Sequence, residues 1–229
     1  MKNPKTETDR FLPRCTRRAS LALVIGLAVT SFAWLAARAG GDGATRLRWD
    51  LIHLTVNTQG SFLDAGGIDW AKAADGSQIT LTGSGTWLSA PGEGEHGEGA
   101  VTGGGTWETF DNTGISTGKG TYTVTRLIEY TEVPGVTPAV GTIDSIGNPE
   151  DSRAGLVIFK VLYSDGEEGV LTISCHGGGP VLAPNTVFEG ITTTKGFVGY
   201  VDRGKPVGGV DANRTAFHIL AHGDDDGHE

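Results

Sequence analysis

The sequence predicts an all-β protein, with an antiparallel β-barrel of about 8–10 strands as the preferred architecture and a β-sandwich as the runner-up. Apolar and polar residues alternate with a period of two after residue 39, which is typical of half-buried strands. Turn-forming residues interrupt these runs roughly every 8–20 residues. The 37 glycines disfavour a helical bundle, because a glycine inside a helix costs about 1 kcal/mol relative to alanine. The barrel is preferred because closure removes the exposed edges of a sheet.

The first 39 residues have the composition of an export signal that forms an apolar helix. A basic stretch precedes an uncharged, mainly apolar run over residues 19–37, and an Ala-x-Ala sequence ends at Ala39. These features are typical of a signal peptide cleaved after Ala39, by the general or the twin-arginine route. The alternative is an uncleaved membrane anchor, because 19 uncharged residues can just cross a bilayer. Both predict a secreted, extracellular or periplasmic protein.

Residues 40–229 carry 11 basic and 25 acidic side chains, a net charge of −14. This charge argues against nucleic acid as a partner, because affinity for phosphate backbones depends on lysine and arginine. It also disfavours anionic lipid surfaces, which leaves the N-terminal segment as the predicted membrane contact. We expect a single all-β domain over residues 40–222, followed by a disordered acidic tail over residues 223–229.

Once the N-terminal segment is removed, Cys175 is the only cysteine, so no internal disulfide can form. Cys175 ends the apolar run 170–175. Its thiol is therefore predicted to be buried and unreactive.

Nine strands are predicted in chain order, over residues 46–56, 79–88, 100–109, 118–130, 156–163, 169–175, 187–193, 197–201 and 215–221. The second, third and fourth contain the sequence Gly-x-Gly-Thr-(Trp/Tyr), and we expect them to pair in sequence as a meander. The fifth is apolar on both faces and should be central in the sheet. Asp165-Gly166 predicts a hairpin turn between the fifth and sixth strands.

The hairpin between the second and third strands has a predicted register that brings four glycines together. Along one face of this hairpin, the residues expected to lie opposite each other are Trp87–Val101, Gly85–Gly103, Gly83–Gly105 and Leu81–Trp107. Glycines, which lack a Cβ, would leave a flat depression between the two tryptophans where a planar or apolar ligand could approach the backbone. The alternative is that the tryptophan rings fill this space themselves.

Two fragments imitate an esterase. Ser116 lies in a Gly-x-Ser-x-Gly pattern, His176 begins a His-Gly-Gly-Gly sequence, and Asp211 and His218 follow the serine in triad order. A nucleophile elbow needs a strand before its serine and a helix after it, whereas the residues after Ser116 are predicted to be strand. No histidine spacing suits a single metal ion. The sequence therefore leaves the catalytic residues unknown, and it predicts no metal site and no cofactor.

Four polar groups are candidates for the mouth of the barrel: Arg126, Lys160, His176 and Glu189. Arg126 interrupts an otherwise apolar face, and a buried arginine needs a carboxylate partner such as Glu189 or a ligand anion. The alternative for Arg126 and Lys160 is an exposed face or a structural ion pair.

The favoured function is an exported, non-catalytic β-barrel that acts as a binding or structural module, with a small apolar or planar molecule or a cell-surface ligand as its partner. The alternative is a small extracellular enzyme with a polar site in the barrel mouth. The predicted ligand-binding residues are Trp87, Trp107, Gly83, Gly85, Gly103, Gly105, Arg126, Glu189 and His176.

Overall fold

Strands dominate the part of the chain that the computed structural model describes, which is residues 45–89, 101–136, 141–177, 181, 183–205 and 209–221. The predicted signal segment and the predicted acidic tail lie outside these ranges. Within them the all-β prediction is confirmed, and no helix is long and apolar enough to span a membrane. The strands are β1 (Thr45–Asn57), β2 (Gly60–Ala65), β3 (Asp69–Lys72), β4 (Gln78–Leu81), β5 (Ser84–Ser89), β6 (Val101–Phe110), β7 (Ser116–Glu132), β8 (Thr142–Asp144), β9 (Ser152–Arg153), β10 (Gly155–Tyr163), β11 (Glu168–Cys175), β12 (Gly190–Lys195), β13 (Val198–Tyr200), β14 (Asp202–Arg203) and β15 (Gly209–Ala221), with a 3-10 helix at Pro149–Asp151.

All fifteen strands belong to one sheet. Its main path runs β13-β12-β11-β10-β7-β6-β5-β1-β15-β9, with every neighbouring pair antiparallel. From β5 to β12 the long strands pair in chain order, which is the predicted meander. The short strands β2, β3, β4, β8 and β14 attach to this path, and β2 and β8 form a parallel pair.

The inner face of the sheet encloses an aromatic and aliphatic core. Trp87 of β5 lies edge-on against Phe159 of β10 and Phe217 of β15, with ring centroids 6.0 and 5.3 Å apart. Trp49 of β1 packs against Phe159 at 5.8 Å. Other strands separate β5 from β10 and from β15 within the sheet, so these contacts require the sheet to curl around the core. Burying a side chain of this size contributes about 1.5–3 kcal/mol.

Residues 144–152 pack over His218 on the outer face of β15, and we call this segment the second layer. It connects β8, which pairs with β2, to β9, which pairs with β15, and it contains the 3-10 helix. Polar residues are buried beside it. Arg48 donates two hydrogen bonds to the fully buried Asp50, at 2.7 and 2.8 Å. His218 contacts Asp144 at 2.8 Å, and both side chains are almost inaccessible. Burial raises the pKa of Asp50, although the Arg48 guanidinium acts in the opposite direction.

Near the two ends of the main path, β11 and β12 lie close to β15 without pairing with it. Among the described residues no backbone ladder joins β11 or β12 to β15, so strand pairing does not close the predicted barrel. The Thr215 hydroxyl instead donates to the Ser174 carbonyl at 2.8 Å, and the Cys175 thiol donates to the Thr215 carbonyl at 3.5 Å. We call this line of contacts between β11 and β15, together with Glu189, the seam.

The predicted hairpin register is confirmed. Opposite pairs in the structure include Trp87–Val101, Gly85–Gly103 and Leu81–Trp107. The predicted strand over residues 79–88 is in fact two strands, because the chain leaves the ladder between β4 and β5. The central position of β10 and the Asp165-Gly166 turn are also as predicted.

Candidate functional site

A cavity of about 230 Å³ lies where the seam meets the second layer. We call it the seam cavity. Its walls come from β1, β2, β8, β9, β11 and β15, so residues far apart in the sequence meet there. The apolar lining residues are Ile52, Leu54, Leu63, Val136, Pro149, Ala216 and Phe217, and the charged ones are Asp144, Arg153, Glu189 and Arg214.

Glu189 stands at the seam and accepts hydrogen bonds from both sides of it. The Thr215 N–H donates to Oε1 at 2.8 Å, and the His176 N–H donates to Oε2 at 2.7 Å. Only 8% of the residue is exposed. Burial raises the pKa of the Glu189 carboxyl from 4.5 to about 7, although both N–H donors and the Arg214 charge favour the ionised form.

Two arginines line the seam cavity, and they differ in their partners. The Arg153 guanidinium lies 3.6 Å from the Glu132 carboxylate, and its Nη1 donates to the backbone carbonyls of Glu150 and Ser152. Arg214 precedes Thr215 on β15 and is half-buried. Its Nε is inaccessible to solvent and has no hydrogen-bond partner among the described residues. Of the two arginines that line the cavity, Arg214 therefore has fewer hydrogen-bond partners among the described residues.

Cys175 also lines the seam cavity, and its predicted burial is confirmed. The residue is 6% exposed, and burial raises the pKa of its thiol to about 12. A thiol with this pKa stays protonated at neutral pH and is a poor nucleophile. Cys175 therefore contributes to packing at the seam.

The four-glycine depression predicted between Trp87 and Trp107 is not open. A Cβ atom on Gly85 would lie 2.8 Å from Trp49 Nε1, and one on Gly83 would lie 3.1 Å from the Trp49 ring and collide with the Tyr122 hydroxyl. That hydroxyl donates to the Thr82 carbonyl at 3.0 Å. The sequence pattern located the glycine floor correctly but missed the rings of β1 and β7 that cover it. A ligand-binding role for these glycines stays a prediction.

The two tryptophans of that prediction are core residues. Trp87 is fully buried and Trp107 is 5% exposed. The Trp107 ring packs on the β7 glycines, since a Cβ atom on Gly118 would lie 3.3 Å from it and one on Gly120 3.0 Å. A groove of about 410 Å³ passes Trp107 along the threonine-rich outer face of β4, β6 and β7, but the ring offers it little accessible surface.

The four polar candidates for the barrel mouth do not converge. Arg126 is exposed, which agrees with the alternative of an exposed face. Two register shifts in the β7–β10 pairing change the alternation of β7, and Leu127 packs against the core instead. Lys160 forms an ion pair with Glu168 at 2.8 Å, in agreement with the alternative of a structural ion pair. Only Glu189 and His176 lie together, and they meet through the His176 backbone.

The esterase-like residues also stay apart or meet in an unsuitable geometry. The Ser116 hydroxyl donates to Glu108 at 2.6 Å, while His218 is buried near Asp144 and Ser152. Both contacts of His218 are made by Nε2, whereas a catalytic triad needs one partner on each ring nitrogen. The side chain of Asp211 and the last two glycines of the His-Gly-Gly-Gly sequence lie outside the described residues.

Sequence reasoning missed Arg214, Asp144 and the second layer that brings them to the seam cavity. Arg214 alternates with Thr215 and Phe217, which signals that its side chain leaves the core face. The strands on either side of the second layer are short: β8 has three residues and β9 has two. Strands of this length are too short to show alternating apolar and polar residues, so the sequence could not predict the second layer.

Neither protein-family models, nor curated proteins, nor solved structures gave a match to this chain. Within the described ranges, no group of three histidine, cysteine, aspartate or glutamate side chains is arranged to hold a metal ion. Function must therefore be argued from the seam cavity itself.

Proposed function

We propose that this protein is an exported, non-catalytic β-barrel that binds a small, mainly apolar molecule in the seam cavity. The observation that carries the proposal is the cavity, which combines an apolar lining with two arginines and a buried carboxyl. Convergence of a few polar groups in an apolar pocket is the usual form of a small-molecule site. A volume of about 230 Å³ suits a compact ligand, since drug-sized ligands occupy about 300–1,000 Å³.

The barrel in this proposal is closed at the seam by side chains. Glu189 accepts N–H groups that strand pairing would otherwise use, one from the residue that follows β11 and one from β15. Buried N–H groups need acceptors, and the carboxylate supplies them where the ladder stops. Contacts between β5, β10 and β15 across the core support the same closed arrangement.

The contacts around the cavity favour binding over catalysis. Both oxygens of Glu189 already accept backbone hydrogen bonds, and the Cys175 thiol has a raised pKa. An enzyme would need a free base within hydrogen-bond reach of a nucleophile or substrate. The alternative of a small extracellular enzyme rests on the pKa of Glu189, about 7, which would suit a general acid or base.

Export is supported by the basic and apolar N-terminal segment. Intact-mass measurement of the protein recovered outside its producing cells tests this part of the proposal. We expect a chain that begins at Gly40. A full-length chain that sediments with membranes would instead favour the uncleaved anchor.

Ligand binding is tested by filling the cavity. Ser61 lines the cavity from β2, and Ser61→Trp should abolish binding of hexan-1-ol measured by isothermal titration calorimetry. Thr123→Trp places the same side chain on the exposed face of β7 and is the matched control. Binding that survives Ser61→Trp, or no binding to the unmodified protein, would contradict the proposal.

A further inference from the structure

We propose that the ligand of the seam cavity is a small monocarboxylic acid whose carboxylate is bound by Arg214 and whose apolar part lies against Ile52, Leu54 and Leu63. This inference rests on the proposed binding function and adds the chemical class of the ligand.

The first argument is the state of the Arg214 side chain. Its Nε is buried in the cavity wall and has no hydrogen-bond partner among the described residues. A buried guanidinium donor without an acceptor is costly, and a charged partner relieves more of that cost than a neutral one. The planar guanidinium matches a carboxylate in both charge and shape.

The second argument is that the other charged groups of the cavity are already engaged. Asp144 is paired with His218 at 2.8 Å. Arg153 lies 3.6 Å from Glu132 and donates to two carbonyls. Glu189 accepts backbone N–H groups on both oxygens. Arg214 is thus the group through which a ligand anion would be recognised.

The third argument concerns the charge balance of the site. Glu189 would repel an anion if it were ionised, but burial favours its neutral form up to a pH of about 7. With Glu189 neutral and Arg153 and Asp144 each beside a partner, the Arg214 charge is the one that a bound anion would meet. The apolar lining residues then favour an acid with a short aliphatic or aromatic body over an inorganic anion.

The experiment compares two probes of equal length, hexanoate and hexan-1-ol, by isothermal titration calorimetry of the 229-residue chain at pH 6. We expect hexanoate to bind roughly tenfold to a hundredfold more tightly than hexan-1-ol, as for a hydrogen bond to a charged group. Arg214→Gln should remove this preference, so that the two probes bind with similar affinity.

Arg153→Gln is the matched control, because Arg153 lines the same cavity but has partners of its own. It should keep the preference for hexanoate. Equal binding of the two probes, or a preference that survives Arg214→Gln, overturns the carboxylate inference and leaves the proposed function standing. Failure of both probes to bind overturns both. If Arg214→Gln does not fold, as judged by circular dichroism, Arg214→Lys takes its place and should reduce the preference, because ammonium lacks the planar pair of donors.

Discussion

Glu189 is the single residue on which most of the seam depends. Its carboxyl group is the shared acceptor for the backbone of β15 and for the residue that follows β11. Burying a carboxyl costs free energy, yet two N–H groups would be left unsatisfied without it. The sequence indicated Glu189 as a candidate partner for a buried cation. Its role as an acceptor for two backbone segments depends on tertiary contacts across 13 and 26 residues, which no local pattern contains.

Replacing Glu189 should destabilise the fold in a graded way. Glu189→Gln keeps one acceptor oxygen and places an NH₂ group against the other N–H donor, while Glu189→Ala removes both acceptors. We expect Glu189→Gln to lower the free energy of unfolding by about 1–2 kcal/mol and Glu189→Ala by about 2–4 kcal/mol. Urea denaturation at pH 5, where the wild-type carboxyl is mostly protonated, is the measurement. Equal stability of all three proteins would refute the acceptor role.

The pH dependence of stability should carry the signature of the same carboxyl. The pKa of Glu189 is about 7 in the folded protein and 4.5 ordinarily, so between these values the folded state binds more protons than the unfolded state. The free energy of unfolding must therefore fall as the pH rises from 4.5 to about 7. The full difference between the two pKa values corresponds to a loss of about 3 kcal/mol in the free energy of unfolding.

Glu189→Gln provides the control for this pH dependence, because it lacks the titrating group. The wild type should lose more stability than Glu189→Gln between pH 5 and pH 8 in urea denaturation. The lowered pKa values of Asp75, Asp111 and Asp165 act below pH 3.8 and do not enter this window. Parallel pH profiles for the two proteins would show that Glu189 does not titrate there.

At the scale of strands, glycines and aromatic rings are paired across β1, β5, β6 and β7. Trp49 lies over Gly85, and Trp107 lies over Gly118 and Gly120. The polar face of the same strands is joined by hydroxyl pairs, such as Thr82 with Thr106 at 2.7 Å. The period-two pattern therefore predicts both faces of this hairpin and its register.

The same pattern failed where the strand period changes. Two bulges in the β7–β10 pairing turn Arg126 outward. A bulge cannot be recognised in the sequence of one strand, because it depends on how that strand pairs with its neighbour. The short strands β8, β9 and β14 pair with segments far away in the sequence, whereas β2 and β3 form short hairpins with β1 and β4. They were not predicted, and the seam cavity is built partly from them.

A methyl group on Gly85 should test the glycine–aromatic packing. The added Cβ atom would lie 2.7 Å from Gly103 Cα and 2.8 Å from Trp49 Nε1. Overpacking of this kind costs about 1–3 kcal/mol. Gly85→Ala should lower the free energy of unfolding by this amount in urea denaturation. Gly199→Ala is the control, since its Cβ atom would meet only Val201 Cγ1 at 3.8 Å; equal stability of the two variants would contradict the packing.

For the whole molecule, the sheet is a meander whose first and last long strands, β1 and β15, pair with each other. The core under this sheet is filled by aromatic side chains. The proposed ligand site lies at the seam, where strand pairing stops. The amide signals of a ¹⁵N-labelled sample report this location directly during a titration with hexanoate. Shift changes should concentrate on His176, Thr215 and Phe217; changes centred on Gly83, Gly85 and Gly103, or no changes at all, would contradict ligand binding at the seam.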